Sequence, residues 1–324
     1  MKKILNIILF LLLVLLVVQI VLIAPQNLDL NDRDKASILS GPVEGLIEQL
    51  MRGVHLVEAT AGEKEWELWA DTAASFKNQQ KWDLNDVKVI LFARDGKQYT
   101  IKGEKGVVET ETKNLQVLGN VIVESENDYR FTTDEVLYIS ENRILQGPKT
   151  VKMRGPKEET GHSLFLVGDS MQSSLITNVM DVMGNVHSQK FFNNGELIDI
   201  FSEKARFSGN TRQAKFLGDV KIEKQSLKIA GPEAQFNYDK DTNMVESVFI
   251  TGGVVVKDED KTATSSSVTA FFPQQKYVFT GKPRVVQGED ELRGEEIIFL
   301  EGGKRVRVRK ANAKVDKQRL EEQE

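Results

Sequence analysis

Two short segments carry the residue types of catalytic or metal-binding motifs. The segment GDSMQS places Ser170 two positions after Gly168, as in the nucleophile elbow of serine hydrolases. Gln172 stands where that motif has its second glycine, and no strand-to-helix pattern surrounds the serine. The segment KDEDK at 257–261 clusters carboxylates, but it lacks the glycine and the distal glutamate of a calcium loop. Both segments are therefore predicted to be turns between strands.

The remaining reactive side chains are few and dispersed. The chain has 324 residues and no cysteine, which excludes disulfides and thiolate zinc sites. Its three histidines, His55, His162 and His187, are far apart in sequence, so a zinc site is not expected. A net charge of -5 gives no indication of nucleic-acid binding. The sequence therefore predicts no enzyme, no cofactor, no metal and no nucleic-acid partner.

The elements that carry these residues are indicated by a repeated phrase, a glycine followed by a small or polar residue and a valine. It occurs as LGNVIVE from Leu118, MGNVHSQ from Met183, FLGDVKIEK from Phe216 and TGGVVVK from Thr251. Apolar residues occupy every second position on both sides of each glycine, which is the pattern of a half-buried strand. A glycine at the middle of such a strand predicts a bend or bulge there.

A second pattern precedes each phrase: apolar or small residues alternate by two and then take one step of three. The residues after that step are at positions 73, 106, 136, 171, 205, 234, 268 and 297, so eight units of 29 to 35 residues follow one another. Such a period indicates a stacked architecture, and alternation by two excludes helical and leucine-rich repeats. The sequence therefore predicts an all-β protein, a rolled two-layer structure resembling a jelly roll.

The amino terminus differs from the rest of the chain. Residues 4–24 are almost all apolar and are long enough to cross a hydrocarbon core of about 30 Å. A retained membrane anchor is favoured over a cleaved signal peptide because no small-residue cleavage site precedes Pro25. Lys2 and Lys3 lie before the span, so the remainder is predicted outside the cytoplasm. Residues 43–51 could form a short helix, as a connecting segment or an interaction element.

These features resemble a family of lipopolysaccharide export proteins. The anchor, GVHLVEATAGEKEWELWADTAASF and YTIKGEKGVVETETKNLQVLGNVIVES are similar to the membrane-anchored LptC family. FSEKARFSGNTRQAKFLGDVKIEK and GPEAQFNYDKDTNMVESVFITGGVVV are more similar to the LptA family, which is OstA-like. An LptC-type chain usually stops where this second half begins, so the resemblance implies a fusion.

The resemblance implies tandem twisted β-jellyrolls whose apolar groove holds the acyl chains of lipopolysaccharide. The expected segments are an anchor at 1–24, a linker with a short helix at 25–53, an LptC-like jellyroll at 54–189, an LptA/OstA-like jellyroll at 190–315 and a charged tail at 316–324. Its implied location is the bacterial inner membrane, as a single-pass protein with most of the chain in the periplasm.

Alternation by two selects the residues that should face the groove. These candidates are Val117, Val121, Val123, Val182, Val186, Ile200, Phe207, Phe216, Val220, Ile222, Phe236, Ile250, Val254 and Val256. The first and last strands should present free edges to partners, through Trp66 and Leu68 at one end and Val306 and Val308 at the other. The basic segment at 304–310 is either an edge strand protected by charge or a contact for phosphorylated lipid heads or an acidic partner.

The function predicted from the resemblance is a non-enzymatic scaffold. It would accept lipopolysaccharide from inner-membrane ABC transporter subunits and pass it to a periplasmic bridge protein or an outer-membrane translocon. Two alternatives remain open at this point. One is a membrane-anchored structural protein with a dry core, and the other is an enzyme acting on envelope glycans, which would need buried carboxylates in a cleft.

Overall fold

The computed structural model describes residues 47–60, 62–77, 79–126, 128–155, 164–191, 196–241, 245–271, 273–301 and 304–314. The described residues belong to one compact unit. They form a single sheet of 22 strands, and every strand pair in it is antiparallel. The prediction of an all-β protein is therefore confirmed, whereas the predicted anchor at 1–24 lies outside the described residues.

The strands are numbered in the order in which they follow one another along the chain. The first eleven are β1 (Ile47–Thr60), β2 (Glu63–Phe76), β3 (Lys81–Phe92), β4 (Gln98–Glu109), β5 (Leu115–Ser125), β6 (Arg130–Ile139), β7 (Ile144–Gly147), β8 (Val151–Arg154), β9 (Leu164–Gly168), β10 (Ser170–Ser174) and β11 (Val179–Phe191). The others are β12 (Leu197–Ser208), β13 (Gln213–Lys224), β14 (Leu227–Tyr238), β15 (Val245–Asp258), β16 (Lys261–Phe271), β17 (Lys276–Thr280), β18 (Arg284–Gln287), β19 (Asp290–Arg293), β20 (Glu296–Leu300), β21 (Arg305–Arg309) and β22 (Asn312–Lys314).

Each long strand is bent at its middle, so that the sheet has two arms that share a corner. In β5, residues 115–118 pair with one part of β6 and residues 121–124 with another, and the register shifts between them. We call the arm that contains residues 115–118 arm A and the arm that contains residues 121–124 arm B. Successive strands cross the corner in opposite directions, and the described hairpin turns lie at the tips of the arms.

Some crossings are divided into two short strands at the corner. β7 lies in arm A and β8 in arm B, and both pair with β6. β9 and β10 divide in the same way and both pair with β11. The divided crossings keep the order of the sheet, because each short strand pairs with the strand before and the strand after it in its own arm. GDSMQS lies at the corner between β9 and β10, which agrees with its prediction as a turn.

The glycine of the repeated phrase makes the corner. Gly119 has φ of 80° and Asn120 has φ of 44°, so two consecutive residues of β5 are left-handed. Gly218 and Asp219 of β13 repeat this geometry with φ of 79° and 44°. A left-handed conformation is costly for residues with a side chain, and glycine adopts it freely. The prediction that these glycines bend the strands is confirmed.

A small residue faces each bend from the neighbouring strand. Gly103 of β4 lies opposite the β5 corner, where a Cβ atom would approach Val117 Cγ1 to 2.4 Å. Gly168 has the same relation to Val182, again at 2.4 Å. The three-residue step in the sequence pattern therefore marks the corner. There, a residue with little or no side chain on one strand leaves room for an inward valine on the neighbouring strand.

Two sequence predictions are wrong at the amino-terminal edge. Residues 47–51 of the expected short helix belong to β1, and residues 43–46 lie outside the described residues. β1 pairs with β2 over almost its whole length, so sheet pairing overrides the helical spacing of its leucines. The expected first strand around Trp66 and Leu68 is not an edge, because β2 pairs with β1 on one side and β3 on the other.

The apolar side chains of both arms meet in one core that continues from the first strands to the last. It includes Val54 of β1, Val182 of β11, Phe216 of β13 and Ile297 of β20. Between β11 and β12 the sheet continues without interruption, from Val179 opposite Ser208 to Phe191 opposite Leu197. The interior is therefore continuous across the predicted boundary between the two halves.

Candidate functional site

The predicted groove residues all face the space between the arms. Eleven of them are buried, and Phe207, Phe236 and Val256 are partly buried against the same core. The buried ones are Val117, Val121, Val123, Val182, Val186, Ile200, Phe216, Val220, Ile222, Ile250 and Val254. Their inward orientation follows from the alternation of the strands, while their contact with lipid stays a prediction.

The neighbouring positions on the same strands face outwards, as the pleat requires. On β13 the side chains of Lys215, Lys221 and Glu223 are 37%, 55% and 42% exposed. Lys215 Nζ lies 3.9 Å from Glu233 Oε1, across the outer face. The two faces of one strand are therefore chemically distinct, one apolar and enclosed and the other charged and hydrated.

The tips of the two arms are joined in the first half by a buried ion pair. Arg143 Nη2, in the β6–β7 turn at the tip of arm A, lies 3.3 Å from Glu65 Oε1 of β2 in arm B. Ser140 Oγ donates a hydrogen bond of 2.7 Å to Glu65 Oε2. Both charged side chains are less than 9% exposed. We call these three residues the clasp, because they connect the arms on the side opposite the corner.

A bulge in β2 makes the clasp possible. The register of β1 and β2 shifts between Glu58 and Ala59, which leaves Glu65 without an opposite residue. Glu65 and Trp66 are consecutive, yet both are buried, as expected where a bulge re-aims a side chain. Sequence reasoning missed this contact because alternation by two assigns Glu65 to the outer face. No signal in the sequence distinguished it, because Glu65 is one of three glutamates at alternate positions, with Glu63 and Glu67.

The electrostatics of the clasp favour its charged form. Burial alone would raise the pKa of Glu65, but hydrogen bonds from Ser140, Thr60 and Arg143 and the guanidinium charge outweigh it and lower that pKa. Burial and the nearby Glu65 carboxylate raise the pKa of Tyr138 to about 12, so its hydroxyl is neutral. The Tyr138 hydroxyl and Trp66 Nε1 are buried without a hydrogen-bond partner among the described residues.

The interior of the second half is lined by aromatic rings that remain partly accessible. Phe216 packs edge to face against Phe207 and Phe236, with centroids 6.2 Å and 5.5 Å away. Phe279 and Phe299 form a similar pair at 5.5 Å. Phe207, Phe236 and Phe299 are only partly buried. A ligand could contact this apolar surface without breaking an ion pair such as the Arg143–Glu65 contact of the clasp.

The terminal strands leave their outer sides without a partner within the described part of the chain. β1 pairs with β2 alone, and β21 pairs with β20 alone. Val306 of β21 is 47% exposed, and Val308 packs partly against the core. The predicted carboxy-terminal edge residues thus lie on an outermost strand, whereas Trp66 and Leu68 lie inside the sheet.

Two histidines form matched clusters on the outer face of arm B. His55 Nε2 lies 2.8 Å from Glu67 Oε1, and its ring stacks on Trp69 at 4.9 Å. His55 and Trp69 also line an open cleft of about 450 Å³ at the outer corner of the first strands. His187 of β11 repeats the arrangement at the junction of the two halves, 2.7 Å from an Asp199 oxygen of β12 and stacked on Phe201 at 4.4 Å. The sequence showed the histidines but not their partners, because each cluster is completed across two strands.

The described ranges contain neither a cluster of metal ligands nor a membrane-spanning helix. No group of three or more histidine and carboxylate side chains in them could hold a metal ion. The same residues contain no helix that is long and apolar enough to cross a membrane. KDEDK forms the turn between β15 and β16, where the Ser226 hydroxyl donates a hydrogen bond of 2.6 Å to Asp258.

Comparison with known proteins assigns both halves. The family model described as "Lipopolysaccharide-assembly, LptC-related" matches residues 9–191. The model described as "LptA/(LptD N-terminal domain) LPS transport protein" matches residues 199–301. The first match ends at the last residue of β11, and the second begins within β12. The chain thus joins an LptC-like segment to an LptA-like segment, as the resemblance implied.

Among solved structures, the chain is similar to LptH of Pseudomonas aeruginosa, the LptA-homologous periplasmic component of the lipopolysaccharide transport device. The identity is 18%, the match covers 37% of this chain and 94% of that chain, and the TM-score is 0.34. No curated protein matches the chain.

Proposed function

The chain belongs to the LptC-related lipopolysaccharide-assembly family, and from this premise we propose that it carries lipopolysaccharide along its interior from the inner to the outer membrane. It would receive the lipid from subunits of an inner-membrane ABC transporter and pass it outwards through the LptA-like half. The families to which both halves are similar are lipopolysaccharide transport scaffolds.

The observation that carries this proposal is the continuity of the apolar interior. Val182 and Val186 of β11 lie directly opposite Ala205 and Ser202 of β12, so the inward columns continue across the junction between the two family segments. No gap in the sheet separates the LptC-like strands from the LptA-like strands. A lipid moving along the interior would therefore meet one continuous surface.

The physical need for such a surface follows from the cost of exposing acyl chains. Each CH₂ group moved from an apolar environment into water costs about 0.8 kcal/mol, so a lipid with several chains cannot diffuse freely across an aqueous compartment. Inward side chains replace the hydrocarbon environment at each step, while the charged outer face keeps the protein hydrated. Direction would have to come from an ATP-driven partner.

We further propose the arrangement of the chain in the envelope. Residues 1–24 would anchor it in the inner membrane, and the two halves would be twisted jellyrolls with boundaries near 54–189 and 190–315. The outermost strands β1 and β21 would pair with the membrane complex and with the next bridge element. The chain would act in this transport without a catalytic step of its own.

A structural envelope protein is the second candidate, because the interior of the first half is closely packed. Leu68, Leu91 and Val121 are at most 1% exposed, which leaves little room for an acyl chain unless the arms separate. Under this alternative the interior would stay dry and free of lipid in cells.

Mass spectrometry of co-purified lipids distinguishes the two candidates. The full chain, extracted in detergent from cells that make lipopolysaccharide, should carry that lipid, and Phe216→Asp should lower its amount several-fold by placing a charge in the interior. Lys215→Asp, on the outer face of the same strand, is the matched control and should retain the lipid. Well-folded protein without lipid would favour the structural candidate.

A further inference from the structure

The strand order of the sheet repeats after eight corner crossings. The first set of eight crossings ends with two divided ones, β7/β8 and β9/β10. The second set of eight ends in the same way, with β17/β18 and β19/β20. β1 opens the first set of eight and β11 opens the second, and both cross from arm A to arm B. β21 and β22 then form one more crossing from arm A to arm B, the first of a third set.

The outer histidine clusters support this alignment of β1 with β11. His55 of β1 and His187 of β11 stack on the opposite aromatic ring of the next strand, with interplanar angles of 8° and 12°. In both cases the acceptor carboxylate stands two residues before that ring, at Glu67 and Asp199. The histidine, the carboxylate and the ring therefore have the same spacing in the sequence in both clusters. β1 and β11 are therefore equivalent strands, and the β21/β22 crossing takes their place in the third set.

In both complete sets, the opening strand is followed by an antiparallel strand that crosses from arm B to arm A. β2 fills that place beside β1, and β12 fills it beside β11. Among the described residues, nothing fills it beside β21. Val306 faces inwards beyond Phe299 and is 47% exposed, as expected for an interior position that lacks its cover.

Opposite charges meet across the β11–β12 seam, whereas the β1–β2 seam has the uncharged Gln49 opposite Ser75 at the corresponding place. Asp181 of β11 accepts hydrogen bonds from Arg206 Nε at 2.7 Å and Arg206 Nη2 at 2.8 Å. Lys204 Nζ lies 3.0 Å from the same carboxylate. The acid is on the opening strand, and both bases are on the strand that follows it.

At β21 the charge of the opening strand is reversed. Val306 and Val308 face inwards as Met180 and Val182 do in β11, which places Arg307 at the position of Asp181. Arg305 pairs with Glu301, and Arg309 Nε lies 3.5 Å from Glu295 Oε2. Arg307 has no side-chain partner among the described residues.

We propose that the β21/β22 edge binds an antiparallel strand of a separate protein whose outward side chains are acidic where β12 has Lys204 and Arg206. The inward side chains of that strand would be apolar, a small one opposite Val308 and a larger one opposite Val306, as Ala205 and Phe207 are in β12. The charge match gives the edge a preference that hydrogen bonding of the backbone alone cannot supply. The assignment rests on the proposed function only for its setting in the envelope.

A second copy of this chain does not fit that edge. Its free strand β1 crosses from arm A to arm B, so it would lie parallel to β21/β22 if the arms were to continue. Its equivalent strands β2 and β12 are already paired on both sides. In addition, Arg206 of β12 would face Arg307 with like charge.

The test uses two peptides with the full chain. One has the β12 sequence LIDIFSEKARFS, and the other is the same peptide with Lys204→Glu and Arg206→Glu. The acidic peptide should bind at least ten-fold tighter in fluorescence anisotropy at low salt, and hydrogen exchange of residues 305–309 should slow. Arg305→Glu with Arg307→Glu in the protein should reverse the preference. Arg130→Glu, a single charge reversal on the outer face of β6, should leave it unchanged.

Equal affinity for the two peptides, no binding of either, or protection at β1 in place of β21 would overturn the proposal. Sedimentation of the chain alone provides the other outcome, because a dimer broken by Arg307→Glu would identify a second copy as the occupant. Co-purified lipid is measured on the same variants. If peptide binding fails while lipid is retained, only the strand-binding proposal is wrong. If lipid is absent while the peptide still binds, only the proposed function is wrong.

Discussion

The two halves share one strand pattern but differ in how their interiors are closed. Eleven of the twelve largest described side chains with less than 2% exposure lie in the first half, and Ile297 is the one in the second half. The first half also has the clasp between its arm tips, whereas Phe207, Phe236 and Phe299 in the second half stay partly accessible. Alternation therefore fixes which residues face inwards, while contacts at the arm tips decide how accessible that interior is.

This difference implies a division of roles. A closed interior stabilises the half nearer the proposed anchor, and an accessible one can accept acyl chains with little rearrangement. Lipid entering the first half would have to separate the arms and break the Arg143–Glu65 contact, while the aromatic lining of the second half is already available.

The largest expected effect comes from breaking the clasp. Arg143→Ala leaves the Glu65 carboxylate buried without its counter-charge, and loss of one partner of a buried pair costs about 3–5 kcal/mol. Urea unfolding of the chain without residues 1–24 would measure it. Arg206→Ala removes an ion pair whose arginine is 47% exposed and should cost less than about 1 kcal/mol. Similar losses in both variants would show that the clasp does not close the first half.

A cavity in the first half should cost more than one in the second. Leu68→Ala removes a side chain that is 1% exposed, with an expected loss of about 2–5 kcal/mol. Phe236→Ala removes a larger but partly exposed ring, and its loss should be smaller because part of that ring already contacts water. The measurement is again the free energy of unfolding in urea. A greater loss for Phe236→Ala would reverse the comparison of the two interiors.

The corners, in contrast, should be equivalent in the two halves. Gly119→Ala and Gly218→Ala each place a side chain at φ near 80°, which costs about 1–2 kcal/mol. Gly155→Ala, at a glycine without positive φ and with its nearest contact at 3.4 Å, is the control and should change stability little. Thermal or urea unfolding measures the loss of stability in each variant. Unequal losses at Gly119 and Gly218 would mean that the two halves differ in their bends as well as in the accessibility of their interiors.

The smallest expected effect is a change in how the stability of the protein depends on pH in acid. Because the pKa of Glu65 is lowered from 4.5 in the folded protein, its contribution to stability is complete above pH 4.5 and is lost as the pH falls through the folded value. The wild type should therefore lose more stability than Glu65→Gln between pH 6 and pH 3, by a fraction of the Arg143→Ala loss. Parallel pH profiles of the two proteins would show that Glu65 is not held in its charged form.

Much of this fold can be predicted from the sequence because the patterns that determine it involve residues close together in the chain. Alternation by two gave the inward set, including Phe216 and Val220, and the phrase around Gly218 marked the corner. The helix expected at 43–51 is wrong over residues 47–51, because pairing with β2 depends on residues more than ten positions away. The clasp was missed for the same reason, since Glu65 meets Arg143 only after the sheet has folded.

A photo-crosslinking residue placed on both faces of one strand in each half, in cells that make lipopolysaccharide, tests the proposed lipid path most directly. Phe216 and Val121 face inwards, whereas their neighbours Lys215 and Ile122 face outwards. We expect lipopolysaccharide capture at Phe216, weaker capture at Val121 and none at Lys215 or Ile122. Equal capture on both faces, or none at either inward site, would contradict the claim that this interior carries the lipid.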